Sequence, residues 1–124
     1  MPKKFFYADG ETIDAALDES RSYPRVEFTY TPLTIGEHGQ VSDELAAGSG
    51  AKIADLARRI IAGHVTRWNV TKPDGSPVDP KKEGEVNRLV PQLVRNVFEV
   101  IYDTDAGDLK DAAAESAGEG GLGN

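Results

Sequence analysis

The chain has 124 residues, a formal net charge of −7 and no cysteine. Its length predicts a single domain, and the absence of cysteine excludes disulfide bonds, thiolate zinc sites and thiol catalysis. No apolar run approaches the roughly 18 residues that span a bilayer, so we expect neither a secreted nor a membrane-inserted protein. Residues 103–124 carry six acids and one base. The other residues therefore have a net charge of only −2, which argues against nucleic-acid binding because phosphates are bound by clustered cations.

The first part of the chain is predicted to form short antiparallel strands. Lys4–Ala8 (KFFYA) is apolar and ends at an Asp-Gly turn signal, which indicates a strand. Thr12 is predicted to cap a single helical turn that ends at Leu17. In Arg25–Thr31 (RVEFTYT) apolar and polar residues alternate, as in a half-buried strand. We expect the two aromatic strands to pair antiparallel, because the segment between them is too weakly patterned for a crossover helix.

The middle of the chain is predicted to be helical. Ser42 resembles an N-cap for a short helix that ends at Ala47, and a Gly-Ser-Gly break follows. From Ala51 to His64 the apolar residues recur at helical spacing and predict an amphipathic helix. The residues on this stripe are Ile53, Leu56, Ala57, Ile60, Ile61 and His64.

Trp68, the single tryptophan, stands in the next segment. Val65–Thr71 is predicted to be extended, and Lys72–Gly75 (KPDG) has the residues of a type I turn. The prolines at positions 77 and 80 restrict the following stretch to an edge strand or a loop. We expect Trp68 to be structural, with its ring covering the apolar stripes of the helices before and after it.

A second apolar stripe is interrupted by Pro91, which cannot lie inside an unbroken helix without the loss of a hydrogen bond. The pattern predicts a short helix at Glu83–Leu89 and a longer one at Pro91–Tyr102. A single helix with a kink at Pro91 is the alternative. Residues 103–124 hold few large apolar side chains and are predicted to form a flexible acidic tail. The predicted fold is therefore α+β, a single domain over residues 1–102 with small N-terminal antiparallel strands packed on two to four helices.

No motif in the chain predicts a consistent chemistry. Gly118–Gly123 matches the letters of the dinucleotide fingerprint, but no helix can follow it. Val70–Lys81 superficially resembles a calcium loop, yet valine and lysines stand at its first, third and twelfth ligand positions. His38 and His64 have no carboxylate at ligand spacing, and His64 is predicted to be a partly buried packing residue. We predict no catalytic, cofactor-binding or metal-binding residue, no cofactor, and a protein that is not an enzyme.

Three segments in a fixed order resemble the tail assembly chaperones of long-tailed bacteriophages. They are VEFTYTPLT (26–34), IIAGHVTRWNVTKPDGSPVDP (60–80) and RLVPQLVRNVFEVIY (88–102). The resemblance covers residues 25–102. The chain departs from the family pattern at Thr31, where a basic residue is common, and at Asn69, where aspartate is common.

This resemblance implies a chaperone of the infected host cytoplasm that binds the tape-measure protein and helps to recruit tail tube subunits. Such proteins are often made in two lengths by a ribosomal frameshift, and the acidic end of this chain would suit a linker to an extension. The sequence leaves the oligomeric state open, and a homo-oligomer is one of the possibilities. Neither nucleic acid nor a membrane is expected as a partner. The alternatives are a structural virion component, such as a head-tail connector or minor tail protein, and a small host-directed binding protein.

Overall fold

The computed structural model of the chain describes residues 10–103. Within this range three strands form an antiparallel sheet in the order β1-β2-β3, namely β1 (Ile13–Leu17), β2 (Val26–Tyr30) and β3 (Val65–Trp68). The helices of the same range are α1 (Ile35–Ala47), α2 (Gly50–His64), α3 (Glu83–Val86) and α4 (Pro91–Tyr102). The sheet packs against the helices, which confirms the predicted α+β class.

The central strand β2 divides the sheet into a core face and a solvent face. Its residues Val26, Phe28 and Tyr30 are buried, as the alternating pattern predicts. On the same face, the partners of these residues in β1 are the half-buried Leu17, Ala15 and Ile13. The ladder to β3 pairs Phe28 with Trp68 and Tyr30 with Val65, and an irregularity between these pairs leaves one extra residue on β3.

The core lies where α2 and α4 pack against each other and against the inner face of the sheet. The predicted stripe of α2 is confirmed, because Leu56, Ala57, Ile60 and Ile61 are its buried residues. The buried residues of α4 are Leu93, Val97, Phe98 and Ile101. Each helix therefore presents one apolar face to the other, and burial of these side chains supplies most of the stabilisation of the helices.

Two predictions for the first part of the chain are wrong. Ile13–Leu17 forms β1 rather than a helical turn, because its alternating residues pair with β2 and this long-range pairing outweighs a single capping residue. The predicted strand Lys4–Ala8 lies outside the described residues. Its expected pairing with β2 is wrong, because β1 and β3 occupy both edges of that strand. Residues 104–124 of the predicted acidic tail also lie outside the described range.

The predicted helix boundaries need three corrections. Helix α1 begins after Thr34 instead of Ser42, because Thr34 and Glu37 form a capping box that starts it earlier. Helix α3 ends at Val86, and the residues up to Leu89 form turns. Val90 has a non-helical backbone with a ψ of 127°, and Pro91 is the first residue of α4, so the proline separates two helices.

Candidate interaction surfaces

Helix α1 is held to the rest of the protein by few apolar contacts. It has 13 residues, of which only Val41 is fully buried. Its first residue, Ile35, is 94% exposed. Two glycines, Gly36 and Gly39, stand within the helix, and each lowers its intrinsic stability by about 1 kcal/mol relative to alanine. The attachment of α1 therefore depends on its cap and on polar contacts with its neighbours.

Tyr102, at the end of α4, provides two of these contacts. Its hydroxyl oxygen lies 2.7 Å from the Ser42 hydroxyl. Its ring is stacked on the His38 imidazole, with ring centroids 4.6 Å apart and an angle of 1° between the planes. On its own helix, Tyr102 also stacks on Phe98 at 5.9 Å. One side chain thus joins α1 to α4 at two successive turns of α1.

The other contacts of α1 reach α2 and the end of β2. Glu44 forms an ion pair with Arg59 of α2, and the Glu44 carboxylate is the main cause of a raised pKa of the Arg59 guanidinium. His64 is largely buried, and its Nδ1 lies 2.8 Å from the Thr31 carbonyl oxygen. The Thr31 hydroxyl oxygen lies 3.1 Å from the same nitrogen. Nε2 of the same ring lies 3.6 Å from a Glu37 carboxylate oxygen.

The segment after Trp68 folds into a small hairpin that carries no metal-binding geometry. The Val78 N–H donates to the Val70 carbonyl at 3.0 Å, and the Gly75 N–H donates to the Lys72 carbonyl at 2.8 Å, as the predicted turn requires. Asp74 accepts hydrogen bonds from the N–H and the hydroxyl of Ser76. These bonds lower the pKa of the Asp74 carboxyl, so this aspartate stabilises the turn.

A second surface lies along the sheet. An open groove of about 990 Å³ is bordered by the three strands, by Asn96, Glu99 and Val100 of α4, and by Asp103 just after that helix. We call it the sheet groove. The residues that line it are apolar residues of the strands, four acidic residues, Asp14, Glu27, Glu99 and Asp103, and one basic residue, Arg67. The groove therefore combines apolar surface with a net negative charge.

Neither surface holds a recognisable reaction centre. Within residues 10–103, no group of three or more histidine, cysteine, aspartate or glutamate side chains could hold a metal ion. The two histidines do not share a site. His38 stacks on Tyr102, whereas His64 contacts Thr31 and Glu37. No helix in the described part of the chain is long and apolar enough to cross a membrane.

Most features that define these surfaces have no signal in the sequence. The pattern predicts Tyr102 only as the end of a helix, and neither its contact with Ser42 nor its stack on His38 has a signal in the sequence. The spacing of Thr34 and Glu37 does have one, because a threonine followed three residues later by glutamate is the capping-box pattern. Comparisons of the chain with protein-family models, with curated proteins and with solved structures find no match.

Proposed function

We propose that the protein is a tail assembly chaperone of a long-tailed bacteriophage. It binds the tape-measure protein in the host cytoplasm and helps to recruit tail tube subunits. The proposal is supported by the three segments that resemble this family in the same order along the chain. It is also supported by a weakly attached helix, α1, whose first residue Ile35 is almost fully exposed.

The observation that carries the proposal is the sparse apolar attachment of α1. A helix with one fully buried side chain and an almost fully exposed isoleucine at its start can exchange its contacts at a modest free-energy cost. A helical client such as a tape-measure protein can then bind Ile35 together with two half-buried leucines, Leu33 just before the helix and Leu45 near its end. Recognition by an apolar helix face of this kind is a common mode of peptide binding.

Co-expression with the tape-measure protein of the same genome, followed by a pull-down, tests the proposal. We expect the tape-measure protein to co-purify with the tagged chain. The Ile35→Ser variant should reduce the captured amount at least about fivefold, since a central apolar anchor contributes on the order of 1 kcal/mol or more. The matched control is Gln40→Ser, an exposed position of the same helix, and it should capture as much client as the unmodified chain.

Two outcomes of the pull-down would contradict the proposal or a part of it. If no tape-measure protein co-purifies and the chain is detected by mass spectrometry in purified virions, the structural virion component is the correct reading. If the client co-purifies but Ile35→Ser and Gln40→Ser behave alike, the chaperone function stands and its assignment to α1 is wrong.

A further inference from the structure

Strand β1 lies at one edge of the sheet. Among residues 10–103 it is paired on one side only, with β2. Its core-facing residues, Ile13, Ala15 and Leu17, are only half-buried, although their partners on β2 are fully buried. An edge strand presents unpaired backbone groups with which a further strand can pair. The edge of β1 is therefore a place where the described sheet can be extended.

The hydrogen bonds of the sheet show which backbone groups of β1 point outward. The Asn69 N–H donates to the Glu27 carbonyl at 3.1 Å, so the backbone groups of Glu27 point towards β3. Backbone groups of successive residues in a strand point to opposite sides, and those of Phe28 consequently point towards β1. Because Phe28 is directly opposite Ala15, the backbone groups of Ala15 bond to β2. The residues on either side of Ala15 therefore direct their N–H and C=O groups away from the sheet.

The sequence of β1, IDAAL, is complementary to itself in one antiparallel register. If Ala15 is opposite Ala15 of a second copy, Ile13 is opposite Leu17 on the core face. On the other face Asp14 is opposite Ala16, and the outward backbone groups of these two residues form hydrogen-bonded pairs. Directly opposed residues lie on the same face of a sheet, so the helices of both copies lie on one side of a continuous six-stranded sheet.

Charge favours this register over the two neighbouring ones. Pairing centred on Asp14 places two Asp14 carboxylates opposite each other, and pairing centred on Ala16 places Asp14 opposite Asp18. Like charges at directly opposed positions destabilise a strand pair. The register centred on Ala15 has no such pair within β1, and its contacts between Ile13 and Leu17 bury apolar surface that a single copy leaves half exposed.

We propose that the protein forms a symmetric homodimer in which the β1 strands of two copies pair antiparallel about Ala15. The paired edge has only five residues, which favours an interface at the small end of the range for specific complexes, about 1,200 Å². We therefore expect a dissociation constant in the micromolar range. This proposal does not depend on the chaperone function, which we assign to α1.

Sedimentation equilibrium of the full chain, from micromolar to submillimolar concentration, tests for the dimer. We expect a reversible equilibrium between monomer and dimer in the unmodified chain. Ala16→Asp places a second carboxylate opposite Asp14 at two symmetric positions and should raise the dissociation constant about tenfold. Ala16→Lys is the matched variant of opposite charge and should lower it. A monomer at every concentration, or equal effects of the two substitutions, would overturn the proposal.

Engineered cysteines test the register, because the natural chain contains none. Ala15→Cys places two thiols at a non-hydrogen-bonded pair with Cα atoms about 4.5 Å apart, which a disulfide can join. The control Ala16→Cys places its thiols two residues apart along the strands, about 8 Å between Cα atoms, which is too far. Position 16 is exposed and position 15 only half-exposed, so chance encounters would favour Ala16→Cys.

On mild oxidation we expect a disulfide-linked dimer of Ala15→Cys and little of Ala16→Cys, as measured by non-reducing electrophoresis. Equal linkage of the two variants, or more linkage of Ala16→Cys, would exclude the proposed register. The sedimentation of the unmodified chain decides whether a dimer exists even if a variant does not fold.

Discussion

The indole nitrogen of Trp68 lies 2.7 Å from the carbonyl oxygen of Val78 and donates a hydrogen bond to it. Trp68 belongs to β3, whereas Val78 closes the hairpin that follows, and Val78 is itself buried. The tryptophan ring also packs against the core. Trp68 therefore stabilises the fold in two ways. Its ring extends the core beyond β3, and its indole N–H holds the hairpin by a hydrogen bond.

Replacement of Trp68 by phenylalanine separates these two contributions. The variant keeps an aromatic ring but leaves the Val78 carbonyl without its donor, and we expect the free energy of unfolding to fall by about 1–2 kcal/mol. Trp68→Ala removes the ring as well and should cost about 3 kcal/mol, the lower end of the range for a core aromatic residue, because the side chain is only half-buried. Urea denaturation followed by circular dichroism measures both changes.

Thr71→Ser is the control for this pair, since Thr71 is exposed on the same hairpin. It should change the unfolding free energy by less than about 0.5 kcal/mol. Equal stability of Trp68→Phe and the unmodified chain would contradict the structural role of the indole hydrogen bond. Equal stability of Trp68→Ala and the unmodified chain would identify the ring as a partner contact.

Gly75 should resist replacement by any residue with a side chain. Its φ is 88°, and a left-handed backbone costs a residue with Cβ about 1–2 kcal/mol. We expect Gly75→Ala to lower the unfolding free energy by that amount, although no atom crowds the new methyl group. Gly84→Ala is the matched control, because Gly84 lies in helix α3 with open space around it and ordinary backbone. This control should leave stability unchanged or raise it by up to about 1 kcal/mol.

The sequence predicts the helices and strands whose patterns are local, but it does not predict those that depend on contacts between distant parts of the chain. The apolar stripe of α2 and the proline at the start of α4 are properties of short windows, so the bounds of both helices follow from the sequence. The strand β1 shows alternation over only five residues, and its alanines carry little strand propensity. Its strand conformation depends on pairing with β2, and this long-range contact cannot be inferred from the five residues alone.

The candidate surfaces were less predictable than the fold. The exposure of Ile35 depends on where α1 lies, and the predicted cap at Ser42 places the start of this helix too late in the chain. A cap can outweigh such residues, since the Thr34 and Glu37 pair satisfies two otherwise unpaired N–H groups. The sheet groove is formed by segments from both ends of the described range, so no window of the sequence indicates it.

The contact between Tyr102 and Ser42 should control the local stability of α1. Tyr102→Phe removes the hydroxyl, but it keeps a ring that can stack on His38 and Phe98. A hydrogen bond contributes about 1 kcal/mol, so the amide hydrogens of α1 should exchange about fivefold faster, as measured by hydrogen exchange with mass spectrometry. The amides of α2 should be affected less, because that helix is anchored by its buried stripe.

Tyr23→Phe is the control for this exchange experiment. It also deletes a tyrosine hydroxyl bonded to a helix, since Asn96 of α4 donates to it at 2.6 Å, but it does not involve α1. Faster exchange in α1 for Tyr23→Phe and not for Tyr102→Phe would show that the contact through Ser42 is not what holds the helix.

Glu85 should make the stability of the hairpin depend on pH. Its carboxylate accepts a hydrogen bond from the Asp79 N–H at 3.0 Å and lies 3.3 Å from the Lys72 ammonium group. The backbone bond first, and then Lys72, lower the pKa of Glu85 from its ordinary value of 4.5. A carboxyl group whose pKa is lower in the folded state stabilises the protein above its unfolded pKa, and this contribution is lost as the pH falls through the folded value.

We therefore expect Glu85→Gln to unfold more easily than the unmodified chain at pH 7, and the difference should shrink as the pH is lowered below 4.5 and through the folded value. Thermal denaturation at a series of pH values measures this difference. The control Glu19→Gln alters an exposed loop residue and should give a small difference with no such trend. Only the contribution of an ionised carboxylate is lost on protonation. If Glu85→Gln lowers stability equally at neutral and acidic pH, the side chain therefore acts through its shape and neutral hydrogen bonds, which would contradict the prediction.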